Sequence, residues 1–267
     1  MKFNLTLETP YPNQELTLNY QYPLSAAIYK ILQQASPEFS EFLHNTGYGE
    51  GYHQFKFFTF SDIATPFSIS GDCMKMKSTI ADLQVSFFIP EAAEHFIYGI
   101  FMNQQLVIGD KQKKIHFTIS QIEKLPDSII DKKDITEITV EPLSPIVTGL
   151  KNDRGYYDYF SPNEEEFIPC LIHNWLQKYK AATTCSEEEL EKIKTQTAIT
   201  ISFRSKPPKQ RLLTIKADTP EQTKIRGYKN FYLHLHSTSA MLKLALDAGM
   251  GLYNSLGCGC VGEGGMN

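Results

Sequence analysis

The chain repeats one predicted order of secondary structure, and this repeat constrains its fold more than any other feature. Hydrophobic residues alternate as in a strand at Phe3, Leu5 and Leu7, and helical spacing follows. The resulting order, β-α-β-β-α-β, occurs in residues 1–125 and again in residues 134–267. Each such unit is the pattern of a ferredoxin-like (RRM-like) domain. We therefore predict an α+β protein made of two tandem ferredoxin-like domains.

Each predicted element rests on its hydrophobic period. The first half gives strands at residues 3–7, 54–60, 83–89, 105–109 and 114–123, and helices at residues 23–35, 39–44 and 90–104. The second half gives strands at residues 135–142, 197–203, 211–216, 230–236 and 258–263, and helices at residues 163–182 and 239–248. Acidic residues are predicted in the first turn of the helix at 163–182, where they suit the helix dipole. The polar segment 125–134 is the predicted domain boundary.

Composition excludes several classes of protein. No apolar run reaches the roughly 20 residues that cross a bilayer, and the first residues lack the apolar core of a signal peptide. We therefore expect a cytoplasmic protein without a membrane partner. Five cysteines at irregular spacing are expected to be free thiols. We predict no metal and no cofactor, because the Cys258-x-Cys260 pair lacks a second pair at zinc-finger spacing.

Charge is unevenly distributed along the chain. The net charge of −4 does not by itself indicate a protein that binds nucleic acid. Residues 204–229 nevertheless contain eight basic residues and only two acidic ones. This asymmetry predicts one basic face, and an ordinary solvated strand pair is the alternative. The candidate phosphate contacts in this segment are Arg204, Lys206, Lys209, Arg211 and Arg226.

Seven of the sixteen glycines lie in the last nineteen residues. The first four form two G-x-G pairs separated by five residues, and apolar residues lie among them, which a disordered tail would not need. Glycine permits positive φ and removes Cβ, so backbone amides there can approach an anion closely. The segment is not a Walker loop, since no G-K-[ST] follows, and it is not a dinucleotide fingerprint, since it leaves a helix rather than opening one.

The glycine segment GMGLYNSLGCGCV (residues 249–261) resembles the C-terminal glycine-rich loop of the CRISPR repeat-processing endoribonucleases, the Cas6 family of the repeat-associated mysterious protein (RAMP) superfamily. Leu252 and Tyr253 depart from the family pattern, which often has charged residues there. FLHNTGY, FKFFTFS and VEPLSPIVT are similar to further family segments and occur in the family's order. The matching loop positions, which the resemblance implies as RNA-binding residues, are Gly249, Gly251, Asn254, Ser255, Gly257 and Gly259.

The resemblance implies an endoribonuclease that cleaves precursor crRNA within its repeats without a metal. The substrate's own 2′-hydroxyl would attack the adjacent phosphorus and leave a 2′,3′-cyclic phosphate and a 5′-hydroxyl. The protein must then move two protons and stabilise the charged transition state. The implied partner is CRISPR repeat RNA, and subunits of a CRISPR effector complex and a second copy of the chain are further expected partners.

Three residues of the first half are candidates for this chemistry. His44 lies off the apolar face at the end of a predicted helix, and histidine side chains in general exchange protons near neutral pH, so it is the candidate acid, with helix capping as its alternative role. Tyr29 precedes it by fifteen residues, and its roles in orientation, charge stabilisation, proton abstraction or plain packing stay open. Lys56 is expected to point away from its phenylalanine neighbours, toward either the phosphate or solvent. His53 is the rival of His44 for the acid role.

Two other functions remain open on the sequence alone. A non-catalytic RAMP protein that holds RNA in an effector complex would keep the glycine segment and the basic strands. A nucleotide-binding regulatory or small-molecule enzyme domain would have the same fold, because ferredoxin-like units host many functions.

Overall fold

The first half of the chain forms a five-stranded antiparallel sheet that shares one apolar core with three helices. The computed structural model describes residues 1–49, 51, 54–109, 113–127, 129, 136–217 and 219–264. The elements of this half are β1 (Lys2–Glu8), β2 (Glu15–Thr17), α1 (Gln21–Ala35), α2 (Pro37–Asn45), β3 (Phe58–Phe60), β4 (Phe67–Ser70), β5 (Cys73–Met76), β6 (Ile80–Phe87), α3 (Pro90–Met102), β7 (Gln105–Gly109) and β8 (Lys114–Leu125). The main sheet has the order β3-β6-β1-β8-β7, and β2, β5 and β4 form a small second sheet.

Local sequence explains why these elements form. Phe3, Leu5 and Leu7 of β1 alternate into the core, and all three are buried. Helix α2 begins where the Ser36 hydroxyl accepts a hydrogen bond from the Phe39 amide at 3.2 Å, which satisfies one of the amides that a helix start leaves unpaired.

The second half forms a four-stranded antiparallel sheet with helices and two hairpins. Its elements are β9 (Glu137–Pro142), β10 (Gly149–Lys151), β11 (Tyr157–Tyr159), α4 (Phe167–Ala182), α5 (Glu187–Thr195), β12 (Ala198–Phe203), β13 (Lys209–Ile215), β14 (Thr223–Lys229), β15 (Phe231–His236), α6 (Ser239–Ala248), a 3₁₀ turn (Asn254–Leu256) and β16 (Val261–Glu263). The sheet order is β12-β15-β9-β16. The pairs β10–β11 and β13–β14 are separate antiparallel hairpins.

The structure is thus a mixed α/β fold built on antiparallel sheets. Two sequence-based predictions of element bounds are wrong. The strand predicted at 54–60 is reduced to Phe58–Phe60, because Phe57 has φ +50° and interrupts the extended backbone. The strand predicted at 211–216 is found as β13, and it pairs only with β14, outside the main sheet. Helix α4 begins at Phe167, after the acidic residues, because the Glu164 carboxylate accepts the Ser161 amide and forms a turn there.

Further predictions concern the domain boundary, the cysteines, membrane-spanning helices and metal ions. The predicted boundary at 125–134 falls mainly outside the described residues. All five cysteines are free thiols. Within the described ranges, no helix has the length and apolar character needed to cross a bilayer, and no cluster of three or more His, Cys, Asp or Glu side chains is arranged to hold a metal ion.

One carboxylate joins the two halves. Asp62, just after β3, lies 3.0 Å from Arg211 and 2.6 Å from Lys229, which belong to the β13–β14 hairpin of the second half. Gln21 of α1 donates a further hydrogen bond to Asp62 at 3.0 Å. Arg211 also stacks over the Tyr20 ring and donates to the Leu18 carbonyl. The hairpin is therefore fastened to the first half through partly buried charges.

Replacing Asp62 by asparagine should weaken this connection. Two partly buried cations would lose their partner, and we expect the free energy of unfolding to fall by about 1–3 kcal/mol. Urea denaturation of Asp62→Asn measures the change. Glu94→Gln, an exposed change on α3, is the control and should change stability little. Equal stability of the two variants would contradict a connecting role for Asp62.

Candidate functional site

The glycine loop, residues 249–260, crosses the boundary between the two halves. Its four matching glycines all have left-handed backbone, with φ of +81° at Gly249, +72° at Gly251, +87° at Gly257 and +69° at Gly259. L-residues with a side chain rarely adopt this conformation. Space is also lacking, since a Cβ at Gly259 would lie 1.9 Å from the Met250 carbonyl oxygen. Glycine is required here by both conformation and packing.

The loop closes on itself through hydrogen bonds. The Met250 amide donates to the Gly259 carbonyl at 2.8 Å. The Asn254 side-chain amide donates to the carbonyls of Met250, at 3.2 Å, and Cys258, at 3.1 Å. The Leu252 amide donates at 2.8 Å to a carbonyl of the segment after β9. The Asn254 side chain therefore mainly stabilises the conformation of the loop itself.

Most of the loop's own amides are consumed by this bonding. The amides of Gly249, Gly257 and Gly259 donate to carbonyls of the chain. Among the described residues, no backbone hydrogen bond is made by the amides of Gly251, Tyr253, Asn254 and Ser255. These four amides, rather than those of the other three glycines, are the donors that the loop can offer to an anion.

A buried lysine of α4 stabilises the loop by donating hydrogen bonds to its carbonyls. Lys178 of α4 is 2% exposed, and its Nζ donates to the carbonyls of Gly249 at 2.7 Å and Gly251 at 2.9 Å. Burial lowers the pKa of Lys178 to about 7. Lys178 was not among the site residues predicted from the sequence. The available signal was its position, since Lys178 continues the apolar stripe of Leu171 and Trp175 on α4.

The loop also packs against the first half. The Ser25 hydroxyl of α1 donates to the Ser255 carbonyl at 2.6 Å, and the Thr59 hydroxyl of β3 donates to the Cys258 carbonyl at 3.1 Å. A Cβ at Gly257 would lie 2.7 Å from the Phe60 ring. These contacts fix the loop relative to α1 and β3.

Tyr29 connects the loop with His44. The Tyr29 and His44 rings lie edge to face, with centroids 5.3 Å apart. Burial raises the pKa of the Tyr29 phenol to about 12, and a hydrogen bond with the Ser255 side chain opposes this shift. His44 is exposed in the last turn of α2, and its Nδ1 lies 3.0 Å from the Asn45 side-chain oxygen. The structure thus brings together Tyr29, His44 and Ser255, which three separate elements supply.

Lys56 lies near the end of α2 in space. A Cβ at Gly47, just beyond that helix, would lie 3.0 Å from Lys56 Nζ. Partial burial lowers the pKa of Lys56. Lys56 is not in a strand, because the backbone turns at Phe57. It nevertheless lines a cleft that runs along the glycine loop. His53, the rival acid, lies outside the described residues.

A cleft of about 760 Å³ runs along the glycine loop between the two halves. Its walls combine lysine side chains with aromatic rings. Tyr157 stacks on Tyr159 and meets Tyr253 edge to face, and Lys151 lies 5.8 Å from the centre of the Tyr157 ring. Cations and aromatic faces in one groove suit a single-stranded nucleic acid. Principal lining residues are Lys56, Lys151, Tyr157, Asn174, Lys178, Gly251, Tyr253, Asn254 and Ser255.

The basic strand residues divide into two groups, and none of them lines the cleft. Arg204 pairs with Glu141 and stacks on an aromatic ring, and Arg211 pairs with Asp62, so both charges already have partners. Lys206, Lys209 and Arg226 are exposed, and no ion pair is found for them within the described chain. Phosphate binding by this basic face stays a prediction.

This architecture is shared with solved structures of Cas6-related proteins. The structure titled "Characterization of a Cas6-related gene from Pyrococcus furiosus" is 21% identical, and the match covers 100% of this chain and 99% of that one with a TM-score of 0.79. "An RAMP protein binding different RNA substrates" is 19% identical, and the match covers 99% and 100% of the two chains with a TM-score of 0.78.

Family models assign the chain more closely. The model described as "CRISPR associated protein Cas6, C-terminal" matches residues 102–262, and the one described as "CRISPR-associated protein Cas6, N-terminal" matches residues 15–123. The chain therefore belongs to the Cas6 family of CRISPR-associated proteins, as the sequence motifs predicted.

Two curated relatives carry the family name. "CRISPR-associated endoribonuclease Cas6 1" of Methanocaldococcus jannaschii is 28% identical over 186 residues, which are 68% of each chain. "CRISPR-associated endoribonuclease Cas6" of Pyrococcus furiosus is 24% identical over 253 residues, which are 91% of this chain and 81% of the relative.

Replacing a loop glycine by alanine should lower the free energy of unfolding more than replacing a glycine that also has positive φ but has open space where a Cβ would lie. Gly155 also has positive φ, but a Cβ there would meet nothing within 4 Å. We expect Gly155→Ala to lower the free energy of unfolding by about 1–2 kcal/mol, from left-handed strain alone. Gly259→Ala adds the overlap with Met250 and should lose about 2–5 kcal/mol.

Denaturant unfolding of both variants measures this difference. Similar losses in the two proteins would mean that the loop relaxes away from the Met250 carbonyl, and would contradict the close packing described for it.

Proposed function

We propose that this protein is an endoribonuclease that cleaves CRISPR repeat RNA by attack of the substrate's 2′-hydroxyl on the adjacent phosphorus. The observation that carries the proposal is the chain of contacts from the glycine loop to His44. The Ser25 hydroxyl of α1 donates to the Ser255 carbonyl of the loop, and the Tyr29 ring of the same helix lies against the His44 ring. This chain of contacts joins a set of unpaired amides, which suit a phosphate, to an exposed imidazole, which suits proton transfer. The names of the two curated relatives support the same activity.

In this reaction His44 donates a proton to the departing 5′-oxygen. Its exposure leaves the ring accessible to substrate, and histidine changes charge near neutral pH. The products would be a 2′,3′-cyclic phosphate and a 5′-hydroxyl. The chemistry needs no metal, because the nucleophile belongs to the RNA and the proton donor to the protein.

Tyr29 is better suited to orientation than to proton abstraction. With a pKa of about 12, its phenol keeps its proton at neutral pH and is a poor base. Its hydroxyl holds Ser255 while its ring abuts the imidazole, so it fixes the loop and His44 relative to each other. Lys56 would supply positive charge to the phosphate from the same side.

RNA would follow the cleft along the glycine loop. The free amides of the loop and Lys151 would contact phosphates, and Tyr157 and Tyr253 offer ring faces to unpaired bases. The exposed Lys206, Lys209 and Arg226 would contact a more distant part of the repeat and make affinity depend on salt.

We also propose that each half is a ferredoxin-like domain, with bounds near 1–125 and 134–267. The strand orders support this division. The order β3-β6-β1-β8 of the first sheet corresponds to the order β12-β15-β9-β16 of the second. In each sheet the edge strand is the one that follows the first helices. Next to it lie, in turn, the strand before the last helix, the first strand of that half and its last strand. Strand β7 is an addition to the edge of the first sheet.

The proposed partner is repeat RNA in the cytoplasm. Assembly with CRISPR effector subunits and formation of a homodimer stay predictions. Light scattering after size-exclusion chromatography, with and without RNA, would test the dimer.

Removing the imidazole should abolish most cleavage. General acid catalysis contributes about 10²–10⁴-fold, so His44→Ala should slow cleavage of the cognate repeat RNA by that factor. Single-turnover assays with excess EDTA measure the rate. Wild-type cleavage should survive the chelator, and RNA with a 2′-deoxy nucleotide at the cleavage position should stay intact.

His116→Ala, an exposed histidine of β8, is the matched control and should cleave normally. Full activity of His44→Ala would reject His44 as the acid. Tight RNA binding by the wild type without any cleavage would favour the non-catalytic RAMP alternative.

The orienting role of Tyr29 predicts a smaller loss. Tyr29→Phe keeps the ring contact with His44 but removes the hydrogen bond with Ser255, which is worth about 1 kcal/mol, so cleavage should slow about 5- to 10-fold. If the tyrosine were instead the base, the loss should approach that of His44→Ala. The same single-turnover assay separates the two roles.

A further inference from the structure

Helix α4 contributes two polar side chains, Asn174 and Lys178, to the wall of the cleft. Lys178 donates to two carbonyls of the glycine loop. Asn174 lies one turn earlier on the same helix, and its Oδ1 is buried with no hydrogen-bond partner among the described residues. Both residues line the cleft. A buried acceptor left unpaired costs free energy, so a donor from outside the chain would stabilise it.

The bonding of Lys178 is complete for a neutral amine and incomplete for an ammonium. A neutral amine has two N–H bonds, and the carbonyls of Gly249 and Gly251 accept both. Protonation adds a third N–H bond. No acceptor for it, and no carboxylate that pairs with Lys178, is found among the residues that the structure describes. The ammonium form therefore lacks an acceptor for its third N–H bond, and an anion that enters the cleft could supply it.

The charged and titratable groups around Lys178 do not supply that anion. Those that share the cleft are His173 and Cys170 on α4, Lys56, Lys151 of β10, Tyr157 of β11 and Tyr253 of the glycine loop. None of these side chains is a carboxylate. The nearest acid in sequence to the loop, Asp247 of α6, is already bonded to Lys243 at 2.7 Å.

We propose that the α4 wall is an RNA subsite in which Lys178 binds a backbone phosphate and takes up a proton as the RNA enters the cleft. The phosphate accepts the third N–H bond. Asn174 Oδ1 accepts a hydrogen bond from a ribose hydroxyl of the same strand. The inference rests on the proposed function only for the class of ligand, which is RNA, and does not depend on whether the RNA is cleaved.

The direction of the pH dependence follows from charge. Burial holds the pKa of Lys178 near 7 in the free protein, and an adjacent phosphate raises it in the complex. RNA binding is therefore strongest below pH 7 and weakens as the pH rises through the free pKa toward the bound one. A single linked proton weakens the affinity by at most about tenfold per pH unit in that window.

The test measures proton uptake with RNA that cannot be cleaved. Repeat RNA with a 2′-deoxy nucleotide at the cleavage position is titrated calorimetrically into the full chain at pH 7.5, in two buffers of different ionisation enthalpy. We expect uptake of a substantial fraction of one proton in the wild type. His173→Gln, the control for the neighbouring histidine, should show the same uptake.

Two variants of Lys178 complete the test. Lys178→Met should bind about tenfold more weakly without proton uptake, and its affinity should be flat between pH 7 and 9. Lys178→Arg keeps its charge at all these pH values, so it should bind without uptake and retain its affinity at pH 9. This second variant keeps the test valid if the methionine variant folds poorly.

Three results would overturn the inference. They are an absence of uptake in the wild type, uptake that survives in Lys178→Arg, and uptake that disappears in His173→Gln. Loss of cleavage alone bears on the proposed nuclease and leaves this subsite standing.

Discussion

The site depends on one close approach, in which the glycine loop lies directly against backbone of the second half and against side chains of the first half. Four left-handed glycines make the approach sterically possible, and the buried Lys178 and the Asn254 side chain hold its carbonyls in place. The bonding explains why glycine is needed at positions whose amides already donate to carbonyls of the chain. It also leaves a short run of amides unpaired at the cleft, where an anion can use them.

The same approach determines how the candidate catalytic residues are arranged. Ser255 lies on the cleft wall and also holds Tyr29, whose ring abuts His44. Asp62 fastens the β13–β14 hairpin to the first half, so the surfaces that meet at the loop are kept in register. The proposed proton donor and the proposed phosphate site therefore belong to different halves but to one rigid set of contacts.

Periodicity predicted the elements that bury one face, because burial imposes a period on the sequence. Strands β1 and β15 and helices α1 and α3 are found close to their predicted positions. Periodicity does not report φ, so the left-handed turn at Phe57 was missed, and with it the true setting of Lys56. Lys178 was missed for another reason. A single lysine in an apolar stripe gives no sign of which distant carbonyls it will meet.

The family motifs identified residues that no hydrophobic pattern could relate to one another, since Tyr29 and Ser255 meet only in the folded chain. That arrangement has a consequence for biosynthesis. A ribosome delivers the first half long before the loop, and domains generally fold in that order. His44 and Tyr29 must wait for residues 249–260 before their surroundings are complete. A nascent chain would thus carry the chemical groups of a nuclease yet remain inert toward RNA until the loop emerges.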